Sequence, residues 1–299
     1  HIRWRTGGIH YHHALAATIL LGDISEDDKR RGDESVVLLT RLEITNRSEA
    51  PEKATVNLRF SDPTPLELTP EGLIVLRPLD PTKIPDGMIA QRGLISMNAP
   101  VGGGVEGWTV RPSSDSRRSS ILTWQKELAP GQKQVIYFKS TYVDLLDAEE
   151  AEAFRTISYE ERIPKDLAYW KERLARGMQI DVPDPMLMSF YKANLWHNVI
   201  TTDRDPETGL YNQGVGTFRY KVFANETVMI ARSMDMRGEH LEAERYLEPM
   251  LYYQGAESLS GRFSTREGAF HSAGGYTHGQ YAMNHGFVLW GVADHYFFT

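Results

Sequence analysis

The period of the hydrophobic pattern changes near the middle of the chain, and this change limits the fold more than any other feature. In the first half, apolar residues recur at every second position, so that Leu42 and Ile44 alternate with Arg41 and Glu43. In the second half they recur at every third or fourth position, as along 240–254. A period of two is typical of half-buried strands, and a period near 3.6 is typical of amphipathic helices. The sequence therefore predicts an α+β chain in which strands precede helices.

The first half contains several short strand candidates that are separated by polar turns. These candidates are 36–45, 54–61, 73–76, 88–97, 121–128 and 134–143. Residues 46–51 and 129–132 have turn composition, and residues 102–107 and 111–120 are expected to form surface loops. Several short strands with polar turns are typical of a β-sandwich. We therefore expect residues 1–145 to form a β-sandwich domain.

The second half contains helix candidates with clear start and stop signals. The candidates are 147–155, 167–177, 185–201, 226–237, 240–254 and 280–299. Asp184 and Pro185 suit the N-cap and the first helical position, and Gly177 and Gly238 suit helix ends. The first two helices belong to a predicted linker, 146–184, and the other four to a predicted helical domain, 185–299.

The connections between the last four helices alternate in length. They are long at 202–225, short at 237–239 and long again at 255–279. Long connections are uncommon in compact domains unless they are functional. Because the long connections alternate with the short one, both of them are expected at the same end of the helices.

Composition excludes some classes of function. The chain has 33 Lys and Arg and 40 Asp and Glu, which gives a net charge of −7. Because nucleic-acid binding needs clustered positive charge, we expect no nucleic-acid partner. The longest apolar runs, such as 14–21, are far shorter than the ~20 residues that span a bilayer, so no membrane partner is expected. The absence of cysteine excludes disulfides and cysteine-based zinc sites. Compartment and oligomeric state are not readable from the sequence.

Four segments of the second half resemble a known family by their order and spacing. They are 218–226 (FRYKVFANE), 237–245 (RGEHLEAER), 253–263 with its Tyr-Gln start and Gly-Arg-Phe end, and 284–296 (NHGFVLWGVADHY). With the preceding sandwich and linker, they resemble the six-hairpin glycosidases. These (α/α)6-barrel enzymes include glucoamylases, α-rhamnosidases and inverting disaccharide phosphorylases. The first segment is similar to the family's aromatic-rich loop that ends in an acidic residue, and the last is similar to a helix that enters the cleft.

This resemblance implies an incomplete barrel. A full (α/α)6 barrel has six helix pairs, whereas 185–299 has room for about four helices at typical helix and loop lengths. The resemblance therefore implies a fragment that carries the first third of a barrel. It also implies that the catalytic acid and base lie on later loops beyond residue 299, so that no catalytic residue is assigned in this chain.

The function implied by the resemblance is hydrolysis of a glycoside or oligosaccharide with inversion. In this reaction one carboxyl group protonates the leaving oxygen while a second carboxylate activates water. A carbohydrate substrate is implied, with no metal and no organic cofactor. Two alternatives stay open: a glycoside phosphorylase of the same architecture, and a non-catalytic carbohydrate-binding or structural module.

The candidate sugar-binding residues lie at the starts of the helices predicted at 226–237 and 280–299. They are Tyr220, Asn225, Glu226, Tyr281, Asn284 and His285. Amides and carboxylates bond to sugar hydroxyls, and aromatic rings cover the apolar face of a sugar. The resemblance implies that Glu226 binds hydroxyl groups of the sugar at subsite −1. The family commonly has an arginine followed by an aspartate at these two positions, whereas this chain has Asn225 followed by Glu226. The alternative reading of Glu226 is a first-turn glutamate that the helix dipole favours. The alternative reading of His285 is a hydrogen-bonded core residue.

Other polar clusters point to structure rather than to metal binding. His10, His12 and His13 are expected on the surface of a strand. The acidic segment 23–34 has Asp28 at the sharp-turn position, where a calcium loop has glycine, and is expected to be a solvated loop. Segment 203–209 is expected to form a turn, with a calcium site as its alternative. Asp294 and His295 are expected to be structural.

Overall fold

The computed structural model describes the greater part of the chain. The described residues are 1–25, 30–60, 66–68, 73–76, 94–96, 108–112, 120–141, 145, 148–214, 223–256, 265–270 and 282–299. The chain is a mixed α+β protein with antiparallel sheets in its first half and helices in its second half, which confirms the predicted α+β class and the order of strands before helices. It divides into two compact units, residues 1–27 with 34–167 and residues 28–33 with 168–299.

Within the described residues, the first unit contains two antiparallel sheets. Its strands are β1 Ile2–Thr6, β2 Ile9–Ile19, β3 Val36–Asn46, β4 Glu52–Phe60, β5 Leu66–Leu68, β6 Leu73–Leu76, β7 Leu94–Ser96, β8 Trp108–Pro112, β9 Ser120–Leu128 and β10 Lys133–Thr141. One sheet has the order β1-β2-β3-β10-β7-β6-β5, and the other has the order β4-β9-β8. Each sheet therefore joins strands that are far apart in the sequence.

The strand predictions hold for most of the described elements, but one predicted loop is wrong in part. Arg111 and Pro112 were expected in a loop, whereas they end strand β8 and pair with Ile121 and Ser120 of β9. Proline is tolerated at this place because β8 is an edge strand of its sheet. The predicted loops at 102–107 and 113–119 and most of the predicted strand 88–97 lie outside the described residues.

One hydrophobic core takes side chains from both sheets. It includes Tyr11, Ile44 and Ile136 of the larger sheet and Val56 and Trp124 of the smaller one. The period-two pattern places these side chains on a single face of each sheet. Burial of this face is the main source of stability for the strands.

Two helices pack against residues of the larger sheet. They are α1, Ala148–Thr156, and α2, Tyr159–Ala175, and they contribute Phe154 and Ile163 to a cluster with Val37 and Leu39. Helix α2 begins eight residues before the predicted start at 167. Its first turn is acidic and favours a helix N-terminus, and the helix continues through Pro164.

The described part of the second unit contains the end of α2, four further helices and one hairpin. The helices are α3 Pro185–Ile200, α4 Ala224–Asp235, α5 His240–Tyr252 and α6 Ala282–Phe298, and the hairpin is β11 Thr202–Arg204 with β12 Tyr211–Gln213. The helix starts lie within two residues of their predicted positions. Asp184 is the N-cap of α3, since its Oδ1 accepts hydrogen bonds from the N–H groups of Met186 and Leu187.

Helices α3, α4 and α5 alternate in direction. Tyr191 of α3 contacts Arg237, just after the end of α4, and Asn198 near the end of α3 contacts Tyr246 in the middle of α5, so α3 runs in the same direction as α5. Asp235 at the end of α4 meets His240 at the start of α5, while Ala224 at the start of α4 shares a cluster with Met250 near the end of α5. The tight turn between them uses Gly238 at a φ of +80°, a conformation that favours glycine. Of the helices within the described residues, none is long and apolar enough to cross a membrane.

Candidate functional site

Helices α4 and α6 pack in parallel against each other. Arg232 Nε lies 2.8 Å from Asp294 Oδ2, and His295 Nδ1 lies 3.0 Å from Asp235 Oδ1. One turn earlier, a Cβ built on Gly291 would lie 2.7 and 2.8 Å from the γ-carbons of Val228. The contacting residues therefore advance in the same direction along both helices, and glycine permits their close approach.

The parallel packing brings the starts of α4 and α6 to the same end of the helical unit. Ala224 and Val288 belong to one buried cluster, which agrees with the same register. This register places Glu226 about level with Leu289. With a rise of ~1.5 Å per residue, His285 lies roughly 6 Å farther along the axis towards that end. The end of α5 lies at this end as well, because α5 runs against α4.

Polar groups of the first turn of α4 are partly withdrawn from solvent. Asn225 and Glu226 are half-buried and Thr227 is buried. Asn225 Oδ1 and Glu226 Oε2 are buried atoms that have no hydrogen-bond partner among the described residues. The helix dipole favours a carboxylate at this position. These two oxygens therefore have acceptor capacity that no described residue uses.

The first turn of α6 holds one buried amide and one oriented imidazole. Asn284 is 1% exposed. His285 is half-buried, its Nδ1 lies 3.1 Å from the backbone nitrogen of Phe270, and the two rings stack with centroids 5.6 Å apart. The remaining predicted site residues, Tyr220 and Tyr281, lie outside the described residues.

The sequence did not indicate which amides of the first long connection serve the fold. Gln213 is buried, its Nε2 donates to Thr201 Oγ1 at 2.7 Å, and its Oε1 accepts from Thr202 Oγ1 at 2.6 Å. Thr202 is itself placed by this bond, so Gln213 anchors the hairpin. Asn212 is also buried, and its Oδ1 has no hydrogen-bond partner in the described part of the chain.

The polar clusters outside this site take part in local structure. Asp205 Oδ1 accepts hydrogen bonds from the N–H groups of Glu207 and Thr208, so segment 203–209 is a turn in which this carboxylate oxygen caps the backbone. His10 lies on strand β2, as expected, and is exposed. Within the described ranges, there is no group of three or more residues suited to hold a metal ion.

Comparisons with known proteins give weak structural similarities. No family model matches the chain, and no curated protein matches it. Among solved structures, it is similar to a putative kojibiose phosphorylase from human microbiome, with 10% identity, a TM-score of 0.45 and coverage of 85% of this chain and 34% of that one. It is also similar to a family GH92 alpha-mannosidase from Bacteroides thetaiotaomicron, with 10% identity, a TM-score of 0.33 and coverage of 80% and 35%.

The chain thus spans about a third of the length of these solved structures. At these identities and TM-scores, the similarities assign neither a family nor an activity.

Proposed function

We propose that the chain is the N-terminal part of a carbohydrate-active enzyme of the six-hairpin glycosidase superfamily. In this proposal residues 1–145 form a β-sandwich, 146–184 a linker and 185–299 the first third of an (α/α)6 barrel. The common core of the two sheets supports the first element. The alternating directions of α3, α4 and α5 support the last, because such barrels are built from antiparallel helix pairs.

The proposed activity is inverting hydrolysis of a glycoside, with a sugar-binding cleft at the shared end of α4 and α6. The parallel packing of these two helices is the observation that carries the proposal. It supports a common wall on which one sugar contacts both first turns. The acid and the base of the reaction would come from loops of the remaining barrel.

The site residues other than His285 have the following roles in this proposal. Glu226 accepts hydrogen bonds from sugar hydroxyls through its carboxylate, and the amides of Asn225 and Asn284 offer both donors and acceptors. Tyr220 and Tyr281 cover the apolar face of the sugar ring. Glu226 binds the substrate in this scheme and does not transfer a proton.

Exposed apolar side chains on α4 and α6 support the incomplete barrel. Met229, Leu289, Trp290, Tyr296 and Phe297 are all more than a third exposed. The four on α6 fall at the spacing of one helical face. An apolar helix face of this kind is normally covered by another element, and further helices of the barrel are the proposed cover.

The test uses the complete gene product that contains this chain. Hydrolysis of a panel of p-nitrophenyl glycosides is measured with and without inorganic phosphate, for wild type, Glu226→Gln and the control Glu248→Gln, which alters an exposed glutamate of α5. We expect phosphate-independent turnover and a fall in kcat/KM of at least about tenfold for Glu226→Gln alone, as for loss of a hydrogen bond to a charged group.

Other results would revise the proposal in defined ways. Turnover that requires phosphate would identify a phosphorylase. Sugar binding without turnover would identify a binding module. Equal activity of Glu226→Gln and Glu248→Gln would remove Glu226 from the site.

A further inference from the structure

We infer that His285 contacts the substrate as a hydrogen-bond donor through Nε2–H, and that it does not act as a general base. This inference deepens the proposed function and rests on it for the identity of the ligand. The observation behind it is the 3.1 Å contact between His285 Nδ1 and the backbone nitrogen of Phe270.

The partner on Nδ1 fixes the position of the ring proton. A backbone N–H can only donate a hydrogen bond, so Nδ1 must carry the lone pair in this contact. A neutral imidazole has one N–H, which must then lie on Nε2. Adding a second proton at Nδ1 would bring two N–H groups face to face, so the contact selects the neutral Nε2–H form.

Packing holds the ring in this orientation. The imidazole stacks on the ring of Phe270, with 27° between the two planes. Phe270 is itself buried in a cluster with Ala224 and Val288, which come from α4 and α6. A half-turn of the imidazole would replace the acceptor Nδ1 by a carbon and lose the hydrogen bond. The neighbouring elements therefore fix which edge of the ring faces away from Phe270.

The resulting Nε2–H complements the acceptors on α4. A sugar hydroxyl donates one hydrogen bond and accepts others, so one hydroxyl can donate to the carboxylate of Glu226 while a hydroxyl oxygen accepts from His285. An Nε2 that carries a proton cannot accept a proton from water or ligate a metal ion. The inferred ligand class is a neutral polyhydroxylated ring, and Nε2–H of His285 donates a hydrogen bond to the oxygen of one of its hydroxyl groups.

The first test measures the tautomer directly in the complete gene product that contains this chain. Nitrogen NMR of protein labelled with 15N-histidine distinguishes Nε2–H, Nδ1–H and imidazolium forms, and the signal that disappears in His285→Asn identifies residue 285. We expect the Nε2–H form, because Nδ1 accepts a hydrogen bond from the N–H of Phe270. An Nδ1–H or imidazolium signal for His285 would overturn the inference, whatever the activity of the protein.

The second test separates the two ring nitrogens by substitution. The oxygen of asparagine can replace Nδ1 as acceptor, whereas the amide nitrogen of glutamine can replace Nε2 as donor. Binding of glucose, mannose and galactose by wild type and both variants is measured by calorimetry, together with thermal stability. We expect His285→Asn to keep its melting temperature and bind the preferred sugar about 5- to 10-fold more weakly, and His285→Gln to lose stability with a smaller loss of affinity.

The outcomes distinguish this inference from the proposed function. If His285→Asn binds the sugar as tightly as wild type, the donor role is wrong although the cleft stands. If wild type binds none of the three sugars while NMR shows the Nε2–H form, the sugar-binding function is overturned and the hydrogen bond to Phe270 remains.

Discussion

Substitution of Gly291 by alanine tests the helix packing on which the candidate site depends. The added Cβ would approach both γ-carbons of Val228 to within 2.8 Å, which real Cβ contacts do not show. Valine in a helix has essentially one side-chain rotamer, so it cannot turn aside. Overpacking of this kind costs about 1–3 kcal/mol. Replacement of a helical glycine by alanine returns up to about 1 kcal/mol through helix propensity.

Gly286 provides a matched control on the same helix. A Cβ at Gly286 meets no atom of the described residues within 4 Å. Gly286→Ala should therefore stabilise α6 by up to about 1 kcal/mol. Because the propensity gain is common to both variants, Gly291→Ala should be less stable than Gly286→Ala by about 1–3 kcal/mol, the cost of the clash alone.

Urea unfolding followed by far-UV circular dichroism measures this difference. A second substitution, Val228→Ala, removes both γ-carbons and should reduce the cost of Gly291→Ala, which a double-mutant cycle detects. If Gly291→Ala is as stable as Gly286→Ala, or if Val228→Ala does not compensate, α4 and α6 do not pack in this register. The conclusion that α4 and α6 start at the same end of the helical unit would then be wrong.

Three further outcomes are expected. Lys139 Nζ donates hydrogen bonds to the carbonyls of Phe154, Arg155 and Ile157 at the end of α1. The substitution Lys139→Met should therefore destabilise the chain by about 2–4 kcal/mol in thermal unfolding. The control Lys53→Met, which alters an exposed lysine, should have little effect. Burial lowers the pKa of Lys139 from 10.5 to about 8, so between these pH values the unfolded chain binds the extra proton. The free energy of unfolding of wild type should therefore rise relative to that of Lys139→Met as the pH increases from 8 to 10.5. Gly177 has a φ of +67°, and Gly177→Ala would place a Cβ against the carbonyl oxygen of Arg237, so this variant should lose more than about 2 kcal/mol of unfolding free energy. Gly131 has a similar φ but no close atom among the described residues, so Gly131→Ala should lose only about 1 kcal/mol. Chemical denaturation compares the two variants.

Local signals in the sequence were sufficient to predict most of the helices. The N-cap Asp184, the stop at Gly238 and the period of the apolar residues place the starts of α3 to α6 within two residues. These signals act through neighbours in the chain, since caps and helical faces involve residues a few positions apart. The same is true of strands β3 and β4, whose alternation is evident in the sequence.

Burial of charged side chains was not predictable from the sequence. Lys139 and Arg173 look like surface residues, yet both are buried. Lys139 finds its acceptors at the end of α1, and Arg173 forms an ion pair with Glu242 at 2.9 Å across more than sixty residues of sequence. A buried charge is tolerated only where such partners are supplied, and only the folded chain supplies them.

The sequence by itself determined the α+β class, the order of strands before helices and the alternation of long and short connections, because each follows from local periodicity and turn residues. The tertiary structure decided the order of strands in the sheets, the parallel register of α4 and α6 and the hydrogen bond between Phe270 and His285. These features join distant residues whose meeting depends on the packing of whole elements, and no local pattern encodes it.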